Sequence, residues 1–212
     1  MLWYSPDRPA ANNGAPACGG TKVWPRSCGL WCLSLACYSF RYLFNPFMFA
    51  TFSPPPSDAP LLPMLRRFLA EIGIVTCEVR LTQATFLPGL LIDQGQLLID
   101  PARLLYPGDV LHEAGHLAVT AAAERQHLHG NITENQPEKE GEELAAMLWS
   151  YAACQALGLP AEVVFHPHGY HGTSDWILDN YRQGTYIGLP LLVWMGLTTT
   201  EAFPRLTRWL RE

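Results

Sequence analysis

"GDVLHEAGHLAV", residues 108–119, sets His112, Glu113 and His116 in an apolar run rich in Ala and Gly. On an α-helix, positions four apart share a face, because each turn takes 3.6 residues. The two imidazoles therefore point the same way and can ligate one metal ion. Glu113 stands beside the first of them, close enough to reach a water on that metal without being a ligand. Two ligands and a general base on one rigid element are the physical content of an H-E-x-x-H match. Ala114 and Gly115 between them leave room for a substrate or for another helix.

The flanking residues suit a ligand helix. "PGD" at 107–109 is a break followed by a cap, with Asp109 expected to accept a hydrogen bond from an early N–H of a helix that starts near Val110 and runs through Arg125. Ahead of it, "GLLIDQGQLLID" reads as a hairpin turning at Gly95, which can take a positive φ. "IVTCEVRL" (74–81) alternates Val75, Cys77, Val79 and Leu81 against polar residues, a half-buried strand. "LLPMLRRFLAEIGI" (61–74) aligns Leu61, Leu65, Phe68, Leu69 and Ile72 on one helical stripe.

After the central helix comes a polar loop containing His127 and His129, both expected to be solvated, and an N-x-T acceptor pattern at Asn131. A long helix follows, "EELAAMLWSYAACQALGL", ending at Gly158 and Pro160. "TSDWILDNYRQ" reads as a capped helix stopped by Gly184, "YIGLPLLVWMGL" as apolar core too short to span a bilayer, and "TTTEAFPRLTRWLRE" as a last helix.

A catalytic zinc needs a third protein ligand and one open position. The glutamates that open the long helix are candidates, as are the histidines of "FHPHGYHG" (165–172). Glu143, Ala146 and Trp149 fall along one side of a helix, and a small residue one turn beyond a ligand lets two helices approach closely enough to share a metal. Glu142 has Ala145 at the same offset and Glu140 is a more distant choice. The acidic cluster also suits a helix N-terminus for the dipole alone. In "HPHGYH", Tyr170 and His171 are the right kind of group to donate to an oxyanion, and the same loop also reads as an ordinary surface turn.

These features resemble the ImmA/IrrE type of bacterial zinc metallopeptidase over residues 64–212. There a small sheet precedes an H-E-x-x-H helix, and a later helix supplies a glutamate in an E-x-x-A-x-x-aromatic setting; here the matching runs are "LIDQGQLLID", "HEAGH" and "ELAAMLW". The resemblance implies a zincin-like α+β fold, mostly helical with a small antiparallel sheet ahead of the H-E-x-x-H helix. It implies Zn²⁺ held by His112, His116 and Glu143, with Glu113 activating water for hydrolysis of a protein or peptide substrate. No E-x-x-x-D pattern follows, since Met147 stands four after Glu143, so an outer carboxylate is expected from Asp175 or Asp179, or a backbone carbonyl takes that role.

Composition excludes other classes. A net charge of −5 and 14 scattered Lys and Arg give no basic block to track phosphate, so nucleic acid is not expected as a partner. Cys77 and Cys154 are isolated and read as small buried residues suited to a reducing cytoplasm. Residues 1–60, with "PDRPAANNGAPACGG" and a Cys- and aromatic-rich run, read as a disordered or artefactual extension, with Met48 or Met64 as natural starts. Lys22, Arg26 and the apolar run to Phe40 also resemble an export or lipid-anchor signal. Residues 61–212 are the expected metallopeptidase domain. Its rivals are a metal-stabilised regulatory or interaction domain without turnover, and a zinc hydrolase acting on a non-peptide bond.

Overall fold

The computed structural model describes residues 60–130 and 140–212. The expectations for residues 1–59, the Asn131 acceptor pattern and the Glu140 side chain lie outside the described residues. The element order is α1 (Leu61–Glu71), β1 (Thr76–Glu78), β2 (Leu90–Asp93), β3 (Gln96–Ile99), α2 (Asp109–Val119), α3 (Ala122–Arg125), α4 (Glu140–Leu157), α5 (Ser174–Arg182) and α6 (Leu189–Trp194). The class is α+β, helix-dominated with one three-stranded sheet. Among the described residues no helix is long and apolar enough to cross a membrane.

The hairpin forms where the alternation places it. Leu90 and Ile92 of β2 pair across from Ile99 and Leu97 of β3, so one face of the ribbon is buried. Gln94 and Gly95 both carry positive φ, 48° and 71°, the geometry of a tight two-residue hairpin turn.

The sheet is not wholly antiparallel, as the sequence led us to expect. β1 lies on the far side of β3 and runs parallel to it, giving the order β1-β3-β2. The cause is a clamp beyond β1. Buried Asp100 accepts the Leu81 N–H at 2.9 Å, and the Arg103 guanidinium donates to the carbonyls of Leu81 and Gln83. That fixes the chain after β1 beside the end of β3, so both strands run the same way before residues 79–89 cross back to β2. As an edge strand β1 keeps only three residues, and Val75, expected inside, is exposed.

Helix α1 buries Leu65, Phe68 and Leu69, the centre of its apolar stripe. Helix α2 is enclosed on nearly every side: Val110, Leu111, Ala114, Leu117, Ala118 and Val119 are fully buried. It stops at Val119 rather than running on to Arg125. Thr120 turns to extended backbone there, and the Arg125 guanidinium donates to the carbonyls of Leu117 and Thr120 at the helix end and to that of Arg211. His129 is exposed as expected, yet its Nδ1 meets Asp93 Oδ1 at 2.8 Å and its backbone bridges to β2.

Two C-terminal expectations fail. No helix forms over residues 198–212. Pro204 brings no N–H and disfavours helical backbone at Phe203. The tail is instead held by hydrogen bonds from the Thr207 and Arg208 N–H groups to Leu197 O, and from Arg211 N–H to Ala118 O. The apolar run 186–197 is core only in part. Leu192 and Leu197 are buried, but Trp194 is 71% exposed beneath the Arg211 guanidinium.

Candidate metal centre

Helices α2 and α4 make the site because their backbones nearly touch. A Cβ added at Gly115 would lie 2.7 Å from Ala146 O, closer than real Cβ contacts come, and 3.2 Å from Ala146 Cα, a tight contact. Glycine on one helix opposite the smallest chiral residue on the other is what this approach requires. Gly115→Ala would gain helix propensity, but against a backbone neighbour the overpacking wins. We expect a net loss of about 1–3 kcal/mol in chemical denaturation. A variant as stable as wild type would show that the helices have room to part.

One turn back along α4 from Ala146 stands Glu143, and it reaches the two histidines of α2. His112 Nε2 and His116 Nε2 are 3.0 Å apart; Glu143 Oε1 is 3.6 Å from the first, and Oε2 is 3.3 Å from the second. Atoms about 2.0–2.2 Å from a tetrahedral zinc stand about 3.3–3.6 Å from one another. Both distances to Glu143, one to each carboxylate oxygen, fall in that range, and the two histidine nitrogens stand closer together than that. All three side chains are buried, 2%, 4% and 6% exposed, and they form the one candidate metal-ligand cluster among the described residues. Glu142, half-buried, takes no part in it.

The donor set fits a dication. Burial, helped by the neighbouring His116, pushes the His112 imidazole down to about 3, so it is the neutral form that ligates. Burial also works against a charged His116, but the hydrogen bond and charge of Glu143 overbalance it and hold that group above its ordinary value. A bound dication would displace any proton held between His116 and Glu143. Three protein ligands are fewer than the four of a closed structural zinc site.

Glu113 follows the first ligand on the same helix and is only half-buried while its neighbours are enclosed. Burial pushes its carboxyl up to about 7; the carboxylates of Glu143 and Asp109 add to this and His116 opposes it. A carboxylate with that appetite for protons is suited to general-base work.

Tyr170 and His171, both expected as oxyanion donors, part company. Tyr170 is fully buried, and its hydroxyl lies 3.4 Å from Nδ1 of His112, the nitrogen facing away from the shared triangle. His171 is exposed and enters none of the site's hydrogen bonds among the described residues. Asp175 and Asp179 lie on the exposed side of α5, where Asp179 pairs with Arg182, so neither supplies an outer carboxylate.

Comparison with protein-family models, curated proteins and solved structures finds no match.

The sequence reading missed a second pair. Asp109, expected as an N-cap, makes no cap bond; Gly108 occupies that position, and the Asp109 carboxylate is buried against His166 Nε2 at 3.0 Å. Burial raises its pKa while His166 opposes the rise. The available signal was its spacing: three residues before His112, Asp109 shares the enclosed face of the ligand helix.

Proposed function

We propose that residues 61–212 are a zincin-like zinc metallopeptidase domain of the ImmA/IrrE type, acting on a protein or peptide substrate in the cytoplasm. The observation that carries this reading is the buried His112–His116–Glu143 cluster, its ligand atoms 3.0–3.6 Å apart, with Glu113 next to the first ligand on the same helix. His112, His116 and Glu143 would hold the ion. When bound, Zn²⁺ supplies Lewis acidity, polarising a carbonyl and making a water easier to deprotonate. Glu113 accepts the proton of the attacking water and returns it to the leaving amine, so one carboxylate serves as base and then acid. Tyr170, behind His112, does not face a substrate in this arrangement. The buried Cys154, whose thiol is pushed up to about 12 by burial, is inert in packing and suits a reducing compartment.

A second reading draws on one observation. Every ligand is more than nine-tenths buried, which also suits a metal-stabilised regulatory or interaction domain without turnover. Digestion of a peptide library by the zinc-loaded full chain, with metal analysis of the same sample, separates the two. Hydrolysis that stops with a chelator and returns with zinc is expected. One zinc per chain with no hydrolysis would transfer the assignment to the regulatory domain.

A further inference from the structure

The loop between α4 and α5 is anchored at His166, Tyr170 and Ser174. His166 is bound to Asp109 on the ligand helix and stacks on Tyr106, with ring centroids 3.8 Å apart. Its carbonyl accepts from Ser174 Oγ at 2.7 Å, closing the loop onto the start of α5. Between these anchors Tyr170 and His171 carry φ of 52° and 50°, left-handed backbone that bulky residues rarely adopt. Such strain persists only where the surroundings over-determine it. Here the Tyr170 carbonyl accepts from Thr173 Oγ1 at 2.6 Å, and its ring stacks on Phe165 at 5.0 Å. The result of the contortion is specific: a fully buried tyrosine is driven inward until its hydroxyl meets the back of His112.

A histidine that ligates through Nε2 carries its proton on Nδ1, and the acceptor of that N–H fixes the tautomer and the ring plane. We propose that Tyr170 is a positioning residue for the metal centre, held by the 166–174 loop so that its hydroxyl accepts the Nδ1–H of His112. It sets metal affinity without touching the metal. This assignment rests on the metal reading of the triad. It also differs from an oxyanion role, which would alter turnover and leave affinity alone. The other ligand has no such support, because Nδ1 of His116 is buried with no hydrogen-bond partner among the described residues. Tuning through the outer shell therefore falls on His112.

Tyr170→Phe removes the hydroxyl and keeps the ring. Zinc affinity of the full chain is measured by competition with a chromophoric chelator, and the visible spectrum of the Co²⁺-loaded protein is recorded beside it. The variant is expected to bind zinc about 10–100-fold more weakly, the usual cost of losing an outer partner of a ligating histidine. Its cobalt band should shift, and its metal-free melting temperature should stay within about 2 °C of wild type, no more than about 1 kcal/mol moves in a domain this size. Affinity within about twofold of wild type would overturn the assignment. So would weaker binding with an unchanged cobalt band and a lowered metal-free melt, which marks a merely structural role. Wild-type protein that takes up no zinc would overturn the metal reading and this assignment together; equal affinity of the two proteins overturns this one alone.

Discussion

Glu113→Gln protein is expected to lose peptide hydrolysis by about 10²–10⁴-fold, the usual contribution of a general base. The substitution keeps the size of the side chain and removes its capacity to take a proton. Zinc content should not change, since His112, His116 and Glu143 are untouched and Glu113 is not among the clustered ligands. Melting temperature should hold or rise slightly. The wild-type carboxyl is half-buried beside the Glu143 and Asp109 carboxylates, and a neutral amide escapes that repulsion. Rate and metal content measured on one preparation check the prediction. Equal hydrolysis by the two proteins would remove Glu113 from the mechanism.

His116→Ala is expected to abolish the response of the protein to zinc. Loss of a ligand should cost more than the roughly 10–100-fold that follows loss of an outer partner. At free zinc a thousandfold above its Kd, wild type gains about 4 kcal/mol, which raises the melting temperature of a domain this size by roughly 10 °C. In the variant that rise should vanish. The absolute melting temperature is a poorer readout, because Glu143 also loses the imidazole 3.3 Å from its Oε2 and the metal-free protein is weakened too. Glu143→Ala should behave like His116→Ala, and Glu142→Ala like wild type, since Glu142 lies outside the triangle. A full zinc-induced rise in His116→Ala would show that the ion sits elsewhere.

That His112 and His116 point the same way was legible because helical period is rigid: residues four apart cannot avoid sharing a face. Glu143 was legible through its neighbour. Ala146 one turn on pointed to a close helix–helix approach, and the 2.7 Å clearance at Gly115 is that approach. The hairpin followed from strict alternation. What stayed hidden depended on contacts distant in sequence. Nothing near β1 marks it as parallel; its direction comes from Asp100 and Arg103, some twenty residues later. Asp109 has the composition of a cap, and only the fold shows that the loop carrying His166 returns to bury it. The place of Tyr170 behind His112 was not legible, because a left-handed backbone at a tyrosine has no sequence signature. The absence of a last helix could have been read from Pro204.

The central claim is that His112, His116 and Glu143 hold one zinc ion, and X-ray absorption at the zinc edge of the loaded full chain tests it most directly. The account predicts a first shell of nitrogen and oxygen only, at about 2.0–2.2 Å, with the multiple-scattering pattern of two imidazoles. A shell containing sulfur at about 2.3 Å, or one without imidazole scattering, would contradict it.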